Sequence, residues 1–147
     1  MAKTVGYMIT WTTYGTWLQG DERKFIKNGE TRGENISIKR DCEKKMTGQA
    51  VRLGRREKTI VKDAILDASK RFKQKIPAIA VYSNHVHIVC EYVDVPIGII
   101  AGYYKNAGRA ALQKNGVMGK VWTSGYNTRY CFDEKSLKSR IEYVLGH

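Results

Sequence analysis

Two of the three histidines in this chain stand one residue apart, as His85-Val86-His87 within SNHVHIV, and the third is His147. Side chains alternate across a β-strand, so a strand here projects His85 and His87 from one face and Val86, Ile88 and Cys90 from the other. Two imidazoles held side by side make half of a metal-binding site. By itself an H-x-H serves two readings, a ligand pair or two hydrogen-bonded structural histidines. A fourth residue bears on the choice. At about 100° per residue, Tyr143 lies about 120° from Leu137 on a helix, off the apolar stripe. His147 is one turn further on the same side. A phenol and three imidazoles can thus belong to one site, the bland reading being a surface tyrosine and a frayed terminal histidine.

Those residues must be carried by particular elements. Thr4–Thr13 is β-branched and aromatic and is predicted to be a first strand. Tyr14–Glu57 is Gly-rich, charged and weakly periodic, too long for an ordinary connection, and is predicted to be a basic insertion at about 14–57. A brief helix near Asp41–Thr47 and a strand near Ala50–Leu53 are expected inside it. Thr59–Lys75 carries Val61, Ala64, Ile65, Ala68 and Phe72 at helical spacing. Strands follow at Ile76–Tyr82 and His85–Tyr92, joined near Asn84. Pro96 opens a helix with Ile97, Ile100, Tyr104, Ala107 and Ala111 along one face, ending at Gly116–Gly119. Trp122–Phe132 reads as extended, and Asp133 as the N-cap of a last helix holding Leu137, Ile141 and Val144. With the insertion set aside, the order β-α-β-β-α-β plus a terminal helix is an α+β, ferredoxin-like (RRM-like) sandwich with an antiparallel sheet. Its two helices cover one face and leave the histidine face open.

The 147 residues are expected to form a single domain, 1–147, and carry 26 Lys+Arg against 14 Asp+Glu, a formal charge of +12. The apolar content excludes disorder as a whole-chain description. No apolar run reaches the roughly 18 residues a membrane span needs, and the start carries no signal-peptide core, so a soluble, cytoplasmic protein with no membrane partner is expected. Cys42, Cys90 and Cys131 form no C-x-x-C pair, which argues against a zinc knuckle or a disulfide framework. From Val95 to Phe132 there are five basic residues, Lys105, Arg109, Lys114, Lys120 and Arg129, and no acidic one. Aromatics interleave with them, Trp122 among them. Cations that track phosphates beside rings that stack on bases suit single-stranded nucleic acid. A solvated basic surface over core aromatics is the plainer alternative for any one of these residues.

The H-x-H, the segment YGTWLQGDER at Tyr14–Arg23 and the closing VWTSGYNTRYCFDEKSLKSRIEYVLGH together resemble the HUH-type single-tyrosine transposases, in particular the REP-associated tyrosine transposases and their insertion-sequence relatives. The resemblance implies a metal-dependent transposase acting on single-stranded or hairpin DNA, with Mg²⁺ or Mn²⁺ as cofactor and a 5′-phosphotyrosine intermediate. Carried over by position, His85 and His87 become metal ligands and Tyr143 the nucleophile. His147 stands where the family usually has Asn or Gln as third ligand, and imidazole there favours Mn²⁺ over Mg²⁺. The family includes dimers that exchange the tyrosine helix as well as monomers. The DNA-binding set expected here is Lys105, Arg109, Lys114, Lys120, Arg129 and Trp122. Against this stand a non-catalytic nucleic-acid-binding module of RRM-like fold, a replication initiator or relaxase nickase, and a zinc hydrolase. The nearest acidic residue to the pair is Glu91, on the same strand face and so a potential partner to the ligands.

Overall fold

The computed structural model describes residues 3–16 and 50–146. Four strands form one sheet: β1 (Gly6–Thr12), β2 (Ala78–Val81), β3 (His85–Glu91) and β4 (Asn127–Cys131), in the order β2-β3-β1-β4. Every pairing is antiparallel. Helices α1 (Arg55–Ala68) and α2 (Ile97–Lys114) are the crossovers, and α3 (Glu134–Gly146) ends the described chain. This is the ferredoxin-like α+β arrangement that the order of elements predicts.

Alternation sorts the strands into two faces. Tyr7, Ile9 and Trp11 of β1 join Val86, Ile88 and Cys90 of β3 beneath α1 and α2. Those helices supply Val61, Ile65, Ile100, Tyr104 and Leu112, all fully buried. Gly108 permits their close approach, since a Cβ there would sit 3.2 Å from the Trp122 ring and 3.4 Å from Val61. The opposite face is smaller and is not left open. Met8, Ala78, Val89 and Cys131 meet Leu137 and Val144 of α3, with Ile141 alongside. Gly6 is the point of closest approach: a Cβ there would lie 2.6 Å from the Cys90 carbonyl oxygen and 2.7 Å from Leu137 Cδ1.

Several boundaries differ from the sequence reading, for local reasons. The first crossover helix begins at Arg55 because Gly54 N–H donates to Glu57 Oε1 at 3.1 Å, half of a capping box ahead of the apolar stripe. It tightens into a 3-10 turn at Ser69–Phe72 and stops at Lys73, whose φ is +52°. Ala50–Leu53 forms no strand. It is tied instead to the end of β1 and to the β2–β3 turn, by Val51 N–H to Tyr14 O at 2.9 Å and Leu53 N–H to Ser83 O at 2.7 Å. Trp122–Phe132 is not one extended run. Trp122 bridges Thr13, Gly125 turns the chain at φ +86°, and β4 begins at Asn127. The helix expected at Asp41–Thr47, Cys42 and most of the expected insertion lie outside the described residues. None of the described helices is long and apolar enough to cross a membrane.

At the start of α3, Asp133 Oδ1 accepts the Ser136 N–H at 2.7 Å, the expected N-cap. That hydrogen bond holds the Asp133 carboxyl below its ordinary range. A pKa lowered by folding contributes stability above the unfolded value, near 4, and loses it as pH falls through the folded value. The stability deficit of Asp133→Ala in urea titrations should therefore be largest at neutral pH and shrink at pH 3. Gly6→Ala should cost about 1–3 kcal/mol, as an overpacked contact does; an unchanged urea midpoint would show that α3 does not depend on this close approach.

Candidate functional site

The β1–β3 register sets Thr10 opposite His87 and Thr12 opposite His85, and β1–β4 sets Asn127 opposite Thr10 and Arg129 opposite Met8. All of these share the face on which α3 lies. The two imidazole centroids are 4.8 Å apart with planes at 75°. The Tyr143 ring on α3 meets His87 edge-on at 6.1 Å and 71°. Met8, Thr10, His87, Asn127, Thr128, Arg129 and Tyr143 line a cleft of about 410 Å³. Helix α3 thus brings the Tyr143 ring beside His87. Tyr143 remains 46% exposed.

Each imidazole is oriented through Nδ1. His85 Nδ1 lies 2.7 Å from Asn84 Oδ1. An amide oxygen only accepts, so this nitrogen carries the proton and the lone pair of the neutral ring falls on Nε2. His87, 9% exposed, has its Nδ1 2.7 Å from the buried Thr10 hydroxyl, which can donate or accept. Histidines that ligate metals are commonly oriented through the other nitrogen in this way. An imidazole that donates through Nδ1 presents its Nε2 lone pair as a potential ligand for a divalent cation, which His85 does beside Asn84 and His87 does where Thr10 accepts. Among the described residues no third His, Cys, Asp or Glu joins the pair to make a metal cluster, and His147 lies outside the described residues. Glu91, four residues beyond His87 on β3, does not line the cleft. Cys90 and Cys131 are buried free thiols that burial pushes up.

The basic residues predicted to meet DNA do not form one surface. Arg129 lines the cleft. Lys105, Arg109 and Lys114 belong to α2, behind the sheet from the histidines. The Lys105 ammonium donates to the carbonyl oxygens of Thr123 at 2.9 Å and Gly125 at 2.8 Å, and so pins the turn before β4. Burial, and after it the charge of Lys120, hold this ammonium below the usual lysine range. Arg109 donates to Asn106 Oδ1 at 2.7 Å. Lys120 lies over the Tyr14 ring at 4.9 Å. Trp122 is 6% exposed, its ring edge-on to Trp11 and its Nε1–H donated to Lys105 O at 2.7 Å. That placement corrects its expected role, because a ring in the core offers no face to a base.

Four residues at the site were not singled out from sequence. Thr10 and Asn127 face the cleft through strand register, which is a long-range property. Tyr82 stacks on His85, with centroids 4.5 Å apart and planes at 24°. Arg140 lies one helical turn before Tyr143, its Cζ 5.7 Å from that ring's centroid. Only Arg140 had a local signal, the i, i+3 spacing.

No protein-family model and no curated protein matches the chain. Solved structures do. A REP-associated tyrosine transposase bound to a REP hairpin is similar at a TM-score of 0.56 and 10% identity, over 98% of this chain and 67% of that one. A protein from Deinococcus radiodurans R1 assigned as a transposase is similar at a TM-score of 0.51 and 12% identity, over 99% of this chain and 92% of that one. The sheet, crossovers and terminal helix that bring Tyr143 to the histidine pair are therefore a fold that this chain shares with transposases.

Proposed function

We propose that this protein is a single-stranded DNA transposase that cuts and rejoins strands through Tyr143. The observation that carries the reading is the 6.1 Å approach of the Tyr143 ring to His87, from an element that reaches the histidine face only by packing. The likeness to transposases of the same fold supports it. A REP hairpin is bound in one of those structures, and hairpin DNA is the class of substrate proposed here.

In the proposed reaction Tyr143 Oη attacks a backbone phosphorus in line with the O3′ leaving group. The Oη–P bond forms as the P–O3′ bond breaks; the phenol gives up its proton and the departing 3′-hydroxyl gains one. One phosphodiester replaces another, so a second 3′-hydroxyl can reverse the step on a new strand without an external energy source. His85 and His87 would hold Mg²⁺ or Mn²⁺ through Nε2, with His147 as the third ligand. Such a cation offsets negative charge on the phosphate oxygens. Thr10 and Asn84 keep the two imidazoles oriented. Arg129, exposed on the cleft wall, is placed to pair with a phosphate, and Arg140 adds positive charge beside the nucleophile.

A purely binding, RRM-like role would use the sheet face as a stacking platform. Helix α3 lies across that face, and its Tyr143 ring and the Tyr82 ring of the β2–β3 hairpin are gathered around the histidines. This arrangement favours chemistry.

Labelled single strands incubated with Mn²⁺ should give a denaturation-resistant protein–DNA adduct. Tyr143→Phe should abolish the adduct with binding nearly unchanged, and persistence of the adduct would refute the assignment. His85→Ala and His87→Ala should each abolish metal-dependent cleavage; cleavage unchanged at limiting Mn²⁺ would count against the ligand pair. Arg129→Ala should weaken binding and make the slope of log affinity against log salt shallower by about 0.7, the value of one single-strand phosphate contact. An unaltered slope would remove Arg129 from the phosphate path.

A further inference from the structure

The two histidines are not held alike. His87 is buried and fixed by Thr10 across the strand pair. His85 is half-buried near the hairpin tip, and its Nδ1 partner, Asn84, belongs to the same turn. The Asn84 contact fixes an edge of the imidazole, and Tyr82 bears on its plane. Tyr82 lies across the hairpin from His85, its N–H donating to the His85 carbonyl oxygen at 2.8 Å. Its ring covers the imidazole face at 4.5 Å with planes 24° apart, and meets His87 edge-on at 6.1 Å and 75°.

We propose that Tyr82 is a positioning residue, an aromatic clamp that fixes the plane of His85 so that both imidazoles address one cation beside Tyr143. The inference rests on the metal-assisted reading above. It assigns the restraint to the ring face, so phenylalanine should substitute for tyrosine and an aliphatic side chain should not. Stacked aromatic pairs contribute enough to select one ring orientation on a partly exposed side chain.

The test uses the full chain and two readouts that do not depend on DNA cleavage. These are Mn²⁺ affinity by titration calorimetry and, in the metal-free protein, the carbon-bound proton resonances of the His85 ring. Tyr82→Leu should weaken Mn²⁺ binding at least tenfold, the usual consequence of losing a residue that orients a ligand. It should also move the His85 resonances downfield as the stacked ring's current is lost. Tyr82→Phe should leave both near wild type, and Tyr82→Met serves in place of the leucine variant if that protein does not fold. Wild-type affinity and unmoved resonances in the aliphatic variants would overturn the clamp, as would equal impairment in Tyr82→Phe. His85→Ala separates the two levels: wild-type Mn²⁺ affinity there would overturn the metal reading and the clamp with it. Lost affinity in His85→Ala alongside intact affinity in Tyr82→Leu would overturn the clamp alone.

Discussion

The packing of α3 against the sheet is the constraint on which the site depends. That helix carries a phenol to a strand carrying two imidazoles, and none of the three groups supplies the apolar contact that holds it there. Leu137, Ile141 and Val144 settle on Met8, Val89 and Ala78, and the missing side chain at Gly6 lets Leu137 approach the strand. Burying two aliphatic side chains this fully is worth about 1.5–3 kcal/mol each. Asp133 sets where the helix starts, which fixes the turn on which Tyr143 falls. Helical phase does the rest, since a residue off the apolar stripe, yet on a helix lying against the sheet, must face along the sheet surface.

The two sheet faces divide the main core from the proposed site. Beneath α1 and α2 lies the larger core, with its own polar network: Gln74 Nε2–H donates to the Tyr7 hydroxyl and to Glu91 O, each at 2.8 Å, while the Tyr104 hydroxyl donates to Gln74 Oε1. Burial pushes the Tyr7 hydroxyl up to about 12 and raises that of Tyr104 as well, so both act as neutral hydrogen-bonding groups. Tyr143, on the other face, is 46% exposed. Residues on either side of the long segment 17–49 are tied close to the histidine hairpin, with Thr13 N–H donating to Asn84 O at 2.9 Å and Thr13 Oγ1 donating to Val51 O at 2.7 Å.

Much of this was legible because it is periodic or local. Period-two alternation put His85 and His87 on the face opposite Val86, Ile88 and Cys90, and the register confirms that parity. Asp133 ahead of a helical stripe declared a cap, and the order of elements declared the sheet. Pairwise, long-range features were not legible. Nothing local says that Thr10 will face His87, or that Tyr82 will cover His85, because register joins residues more than seventy positions apart in the first case and a hairpin turn in the second. Trp122 was misleading for a related reason. Interleaved aromatics and cations look alike whether the rings stack on bases or fill a core, and only the packing of α2 over Trp11 and Trp122 distinguishes them. The structural contact of Lys105 was likewise not legible, since its ammonium donates to two carbonyl oxygens of a turn that lies far off in sequence. The segment 17–49 and His147 lie beyond the described residues.

Mapping the covalent attachment tests the central claim most directly. Single-stranded hairpin DNA is incubated with the protein and Mn²⁺, the complex is denatured and digested with trypsin, and the DNA-bearing peptide is sequenced by mass spectrometry. Cleavage after Arg140 releases residues 141–147, in which Tyr143 is the sole tyrosine. The account expects a 5′-phosphate on that residue and on no other. Attachment at a different side chain, or no attachment with a folded protein that binds the DNA, would contradict it.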